Sequence, residues 1–158
     1  MQQRNYQREM DALIASLDAR PRLLLHSCCG PCSSACLERL APHFDIDVFF
    51  YNPNILPAEE WEKRLFWQKH LLETAPFGKN VGLIVPERDE TAFRLAAAGL
   101  EAEAEGGARC TECFVLRLSR TAEAIFPATY EGTACAKTVS GFGSKIVPAP
   151  AVFSSRES

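Results

Sequence analysis

The sequence predicts an α/β protein with a parallel sheet and helices on both of its faces. Three observations point there. Short apolar runs of strand length alternate with longer stretches of helical period. Turn-forming Asn, Pro and Gly residues punctuate the alternation. A chain of 158 residues, 47% hydrophobic and 23% charged, is large enough for one packed core.

In chain order, Gln2 to Leu17 form an amphipathic helix with Met10, Leu13, Ile14 and Leu17 on one face. Arg20-Pro21 ends it. Arg22 to His26 is a buried-type strand, and Pro31 stands where the next helix opens, with Ser33 to Leu40 continuing it. Asp47 to Tyr51 is a second strand, followed by the turn Asn52-Pro53-Asn54. Ala58 to Thr74 is a long charged helix with Trp61, Leu65 and Leu72 towards the core. Gly82 to Pro86 is a third strand, and Asp89 caps a helix running to Ala98. Gly99 to Arg109 is a Gly- and Glu-rich loop. Thr111 to Phe126 is the last helix, with Phe114, Leu118 and Ala122 on one side.

Residues 1–126 are therefore expected as a single α/β domain with an N-terminal helix. Residues 127–158 are expected as an irregular tail, rich in Ala, Gly, Ser, Pro and Thr and adding little packed structure. Any strand within it falls at Ala128 to Tyr130 or at Lys145 to Val147.

No apolar run approaches the roughly 20 residues that span a bilayer. The polar start, Met1 to Asp11, argues against a secretory signal, so the expected location is the cytoplasm. A net charge of −3 argues against nonspecific nucleic-acid binding through overall charge, and leaves room for a local basic patch.

In a reducing compartment, seven cysteines point to metal or redox chemistry rather than to structural disulfides. Cys28-Cys29-Gly30-Pro31-Cys32 follows a strand and opens a helix. Cys110-Thr111-Glu112-Cys113 opens another, after Gly106-Gly107. Ligands of open α/β sheets bind at the carboxyl ends of strands. Helix starts offer free N–H groups and partial positive charge, which favour the thiolate. Cys28, Cys29, Cys110 and Cys113 are thus expected to form one site.

Three chemistries compete for it: zinc, an iron–sulfur cluster, and thiol–disulfide exchange. Cys29-Gly30-Pro31-Cys32 matches the thioredoxin tetrapeptide, although Cys28 stands where Trp is usual and the second CxxC has no place in that fold. Cys36, one turn after Cys32, reads as a core residue, and Cys135 as an isolated thiol.

Several of these segments together resemble one family. They are Leu25 to Cys32, then Phe50-Tyr51-Asn52-Pro53-Asn54-Ile55 with Pro57, then Glu60 to Leu65, then Glu105 to Phe114 with Arg117-Leu118. In this order and spacing they are similar to the QueH family, the epoxyqueuosine reductases that work without cobalamin. The likeness covers residues 22 to 126.

The resemblance implies a Rossmann-like sheet of the adenine-nucleotide α-hydrolase type. It implies the last step of queuosine synthesis, in which an epoxide at the wobble position of tRNA becomes an alkene. It implies a [4Fe–4S] cluster on Cys28, Cys29, Cys110 and Cys113, with Cys32 holding an additional mononuclear iron or facing the substrate.

An external electron donor is required, and none is named by the sequence. Tyr51 is a candidate proton donor, with a core tyrosine as its alternative. His26 reads as structural. Arg64, Arg109, Arg117 and Arg120 are the expected RNA contacts, joined by Asn52 and Asn54. Surface ion pairing is the alternative for the arginines, as between Glu60 and Arg64. Glu101, Glu103 and Glu105 form an acidic loop that would repel RNA. The protein is expected to be monomeric. The tail departs from the family, lacks its terminal cysteine pair, and suggests a frameshifted or truncated ending that would leave the sheet without an edge strand.

Overall fold

The computed structural model describes residues 5–124 and the backbone of two strands at 132–135 and 147–148. The elements run α1 Tyr6–Ala15, β1 Arg22–His26, α2 Gly30–Leu40, β2 Asp45–Phe49, α3 Ala58–Thr74, β3 Gly82–Ile84, α4 Glu90–Ala96, α5 Ala108–Glu123, β4 Gly132–Cys135 and β5 Val147–Pro148. The strands form one sheet in the order β3-β2-β1-β4-β5. The first four are mutually parallel, and β5 is antiparallel to β4. This is a Rossmann-like α/β arrangement.

The alternation of side chains along β1 and β2 builds two cores. Leu23, Leu25, Ile46 and Val48 face one way and meet Met10 of α1 and Cys36, Leu37 and Leu40 of α2. Leu71 and Leu72 of α3 close that side. Leu24, Phe49 and Tyr51 face the other way, against Leu116 and Ala124 at α5. Both faces of the sheet are covered, as continuously apolar parallel strands require.

Boundaries differ from the sequence reading where tertiary contacts decide them. Helix α1 starts behind Asn5, whose side chain accepts from the Arg8 N–H at 3.1 Å; Gln2 to Arg4 lie outside the described residues. Strand β2 sits two residues earlier than expected because its ladder is fixed by β1, from Arg22 opposite Asp45 to His26 opposite Phe49. Strand β3 stops before Pro86, which has no N–H for a ladder. Helix α5 begins a turn early, behind Gly107, so Cys110 lies inside its first turn.

The largest correction concerns the tail. Strand β4 pairs along β1, with Cys135 opposite His26, and β5 pairs along β4. The edge expected to be missing is therefore occupied. Of the two strand positions expected there, Ala128 to Tyr130 lies outside the described residues, and Lys145 to Val147 meets β5 only at Val147.

Asp89 acts as the N-cap of α4, its Oδ1 accepting from the Ala92 N–H at 3.0 Å. Asp89→Ala is expected to lower stability by about 1 kcal/mol, read as a lower urea midpoint at unchanged slope. Among the described residues, no helix is long and apolar enough to cross a membrane.

Candidate metal centre

The site is built at the carboxyl end of β1, where the chain leaves the sheet and enters α2. The Ser27 N–H still donates to the Phe49 carbonyl at 3.1 Å, so the loop starts firmly anchored. Cys29 then serves as the N-cap of α2 in an extended conformation, with Gly30 and Pro31 as the first helical residues. Cys32 follows at the third helical position. N-cap and N3 side chains meet at a helix start, the geometry otherwise used by a capping box.

The consequence is a group of three thiols. The Sγ atoms of Cys28, Cys29 and Cys32 all lie within 4.8 Å of one another. Cys28 and Cys29 are 3.9 Å apart, Sγ to Sγ. Cys32 is exposed, while the other two are half-buried. Cys110 and Cys113 stand outside this group. Cys110 Sγ accepts from the Gly106 N–H at 3.2 Å, and Cys113 is buried on α5. The structure thus joins Cys32 to Cys28 and Cys29, where the sequence reading paired those two with α5. Cys36 is a core residue, as expected.

The electrostatics also depart from expectation. Burial, reinforced by the adjoining Cys29 and Cys32, pushes the Cys28 thiol up to about 12. Burial first, then Cys29, raises Cys32 as well, and Arg64 opposes that rise. The expected thiolate-favouring effect of the helix start is outweighed, because three adjacent sulfurs cannot share negative charge without a cation. Thiolates grouped in this way are donors that fit a soft cation, iron or zinc.

Arg64 of α3 is a positive charge that acts on these thiols. Its guanidinium is held by Glu60 at 2.7 Å, which raises its pKa foremost, with smaller contributions from Cys28 and Cys29.

Behind the thiols lies a buried polar network that the sequence reading missed. Ser27 and Ser33 hydroxyls donate to Gln68 Oε1 at 2.7 and 3.0 Å, and both also reach the Cys29 carbonyl. Gln68 is fully buried, and its Nε2 has no partner among the described residues. The signal was present: Gln68 continues the stripe of Trp61, Leu65 and Leu72, so a polar side chain sits in an apolar row. Gln68→Leu removes the shared acceptor and relieves the orphaned amide together. The expected net loss is about 1 kcal/mol of stability, with metal retention about tenfold poorer in a chelator competition.

The remaining predicted residues are placed as follows. His26 is buried, with Nε2 2.8 Å from the Tyr51 carbonyl oxygen, a structural role. Asn52 is buried and donates through Nδ2 to the Ser27 carbonyl at 2.8 Å, tying the end of β2 to the thiol loop. Its Oδ1, the Oδ1 of Asn54 and the Tyr51 hydroxyl are buried without hydrogen bonds among the described residues. The Arg120 guanidinium stands over the Tyr51 ring, 5.7 Å from its centroid, near enough to feel the hydroxyl but outside hydrogen-bond geometry. Arg120 also pairs with Glu123 at 2.9 Å. Arg117 is buried over the Phe114 ring at 4.9 Å and donates to the Cys113 carbonyl at 3.3 Å. Arg109 donates to the Glu101 carbonyl at 3.0 Å on the surface.

Comparison with known proteins decides the family. A family model described as epoxyqueuosine reductase QueH matches residues 23–144. The chain belongs to the QueH family. Its match with the family runs past Phe126, where the sequence reading had ended the likeness, and takes in β4. The chain is similar to the epoxyqueuosine reductase QueH of Staphylococcus epidermidis, with 37% identity over 143 residues, 86% of this chain and 60% of that protein. The Staphylococcus aureus relative of the same name is 36% identical over 143 residues, again 86% and 60%. The Acinetobacter baylyi relative is 40% identical over 111 residues, 66% of this chain and 47% of that protein. The chain therefore spans about 60% or less of the length of these QueH relatives.

Proposed function

We propose that the protein is an epoxyqueuosine reductase acting on tRNA in the cytoplasm. The substrate is the wobble nucleotide bearing epoxyqueuosine. Two electrons and two protons enter, the epoxide oxygen leaves as water, and an alkene remains. The observation that carries the reading is the group of three adjacent thiols at the carboxyl edge of a parallel sheet, in a chain of this family.

The proposed cofactor is a [4Fe–4S] cluster held by Cys28, Cys29, Cys110 and Cys113, with Cys32 reserved for an additional iron or the substrate. When bound, such a centre delivers electrons singly and supplies a Lewis acid. Thiols surrender their protons to hold metal, and burial pushes that of Cys28 up to about 12, so uptake strengthens as pH rises through the neutral range, about tenfold per pH unit for each proton displaced. Metal titrations across the neutral range check that sign.

The chain's own groups do the rest. Tyr51 supplies a proton, a role supported by a buried hydroxyl without a hydrogen bond among the described residues. Asn52 and Asn54 orient the nucleotide through their unpartnered Oδ1 atoms. Arg64, Arg109 and Arg120 contact RNA, Arg64 beside the thiols and the other two from α5, while the buried Arg117, also expected as an RNA contact, braces the Cys113 carbonyl instead. The reductant is a separate electron donor, and the protein acts as a monomer.

The deciding experiment is anaerobic purification with iron, sulfide and zinc analysis, followed by turnover of tRNA carrying epoxyqueuosine. About four irons and four sulfides per chain with queuosine formed is the expected result. Zinc alone, or thiol–disulfide exchange with no epoxide reduction, overturns it. Cys32→Ala with an intact cluster and full activity removes Cys32 from the mechanism.

A further inference from the structure

Helix α3 carries a surface feature that neither the thiol site nor the expected arginines use. Phe66 is 59% and Trp67 46% exposed, large values for aromatic side chains on a packed helix. They form one cluster with His70. Phe66 and Trp67 meet edge-on at 5.2 Å, Trp67 and His70 at 5.5 Å, and the Phe66 and His70 rings are parallel within 3°. Rigid, solvent-facing rings are not needed for the core of α3, which Leu71, Leu72 and Gln68 supply.

The position of the cluster is informative. The Trp67 backbone packs against Gly30 at the start of α2, two residues from Cys32. Arg64, less than a turn earlier on α3, acts electrostatically on the thiols. On the helix Lys63 and Arg64 lie one turn before Trp67, while Glu62 lies one turn before Phe66 and Glu73 one turn after His70. An exposed aromatic ring one turn from two cations suits an unpaired base on a phosphate backbone, because every base has a face to stack and every phosphate a charge to neutralise.

We propose that Phe66, Trp67 and His70 form a stacking platform for an unpaired nucleobase that flanks the nucleotide presented to the thiol site. The platform rests on the reductase reading and adds to it the surface that grips the anticodon loop. Its place beside the thiol loop, one turn from Arg64, favours the RNA presented to that site over a second copy of this chain.

The test uses the full chain and a synthetic anticodon stem–loop RNA, with binding read by anisotropy of the labelled RNA and epoxide reduction measured on the same preparation. Trp67→Ala is expected to weaken binding about tenfold or more, from the usual size of one base–aromatic stack. An abasic substitution at the stacked position weakens it by a similar factor, and the two together weaken it no further than either alone. Because Trp67 is exposed, an unchanged melting temperature is expected alongside.

Unaltered binding by Trp67→Ala overturns the platform while leaving the reductase reading to the turnover measured on the unaltered chain. Fully additive losses also overturn it, since ring and base then do not touch. A dimer in sedimentation that Trp67→Ala dissolves would make the cluster a protein interface instead. Failure of the unaltered chain to bind the RNA or to reduce the epoxide removes both the platform and the reading beneath it.

Discussion

Cys29→Ser is expected to leave the anaerobically purified protein with background iron and sulfide. Cys29 occupies two roles that no other residue holds together. It is the N-cap of α2, and its thiol is grouped with those of Cys28 and Cys32. Serine preserves the cap, because a hydroxyl at that position is a favoured helix start. Loss of metal in Cys29→Ser therefore reports ligation and not unfolding, which far-ultraviolet circular dichroism confirms if the helix signal is kept.

Residues that merely support a metal ligand change affinity or activity by about 10- to 100-fold, so removal of a ligand should exceed about 100-fold in epoxide reduction. A Cys29→Ser protein with full metal content and turnover would show that the three thiols are a packing feature. The matching change at Cys36, buried in the core and outside the group, should leave metal content intact while lowering stability.

Gly30→Val is expected to be the most damaging single substitution at the site that removes no ligand. Gly30 does not need an unusual backbone; it needs the absence of a side chain. A Cβ there would overlap the Trp67 carbonyl oxygen and stand 2.9 Å from its carbon and 3.3 Å from the Gln68 nitrogen. All three are backbone atoms of α3, which cannot swing aside as a flexible side chain would. The helices must separate, and overpacking of this kind costs about 2–3 kcal/mol. For a chain of this size that is a fall of roughly 6–9 °C in melting temperature.

Separation of α2 from α3 would also break the hydrogen bonds from Ser27 and Ser33 to Gln68. Metal loading should fall together with stability, whereas Gly30→Ala, with the smallest side chain, should show the same pair of effects at reduced size. A Gly30→Val protein of normal melting temperature would mean that the two helices do not approach as described.

The sequence by itself determined much of the scaffold. Strand β1 and helix α3 appear with the predicted ends, because an apolar run between Pro21 and the Cys-Cys-Gly-Pro turn, and a long amphipathic stretch after Pro57, each have one good solution. It also determined that cysteines gather at helix starts on the ligand-binding edge, and which family the chain belongs to, since those signals are local and ordered along the chain.

What the sequence left open depends on distance through space. The grouping of Cys32 with Cys28 and Cys29 follows from the pitch of α2 once Cys29 is its cap. The upward shift of the thiols is a sum of burial and mutual repulsion that only neighbouring atoms define. The role of Gln68 required α3 to lie against α2, and the place of β4 beside β1 required the sheet itself. Four residues of small and polar character, Gly132 to Cys135, have little strand preference of their own. Their pairing is decided by the open hydrogen-bonding edge that β1 presents.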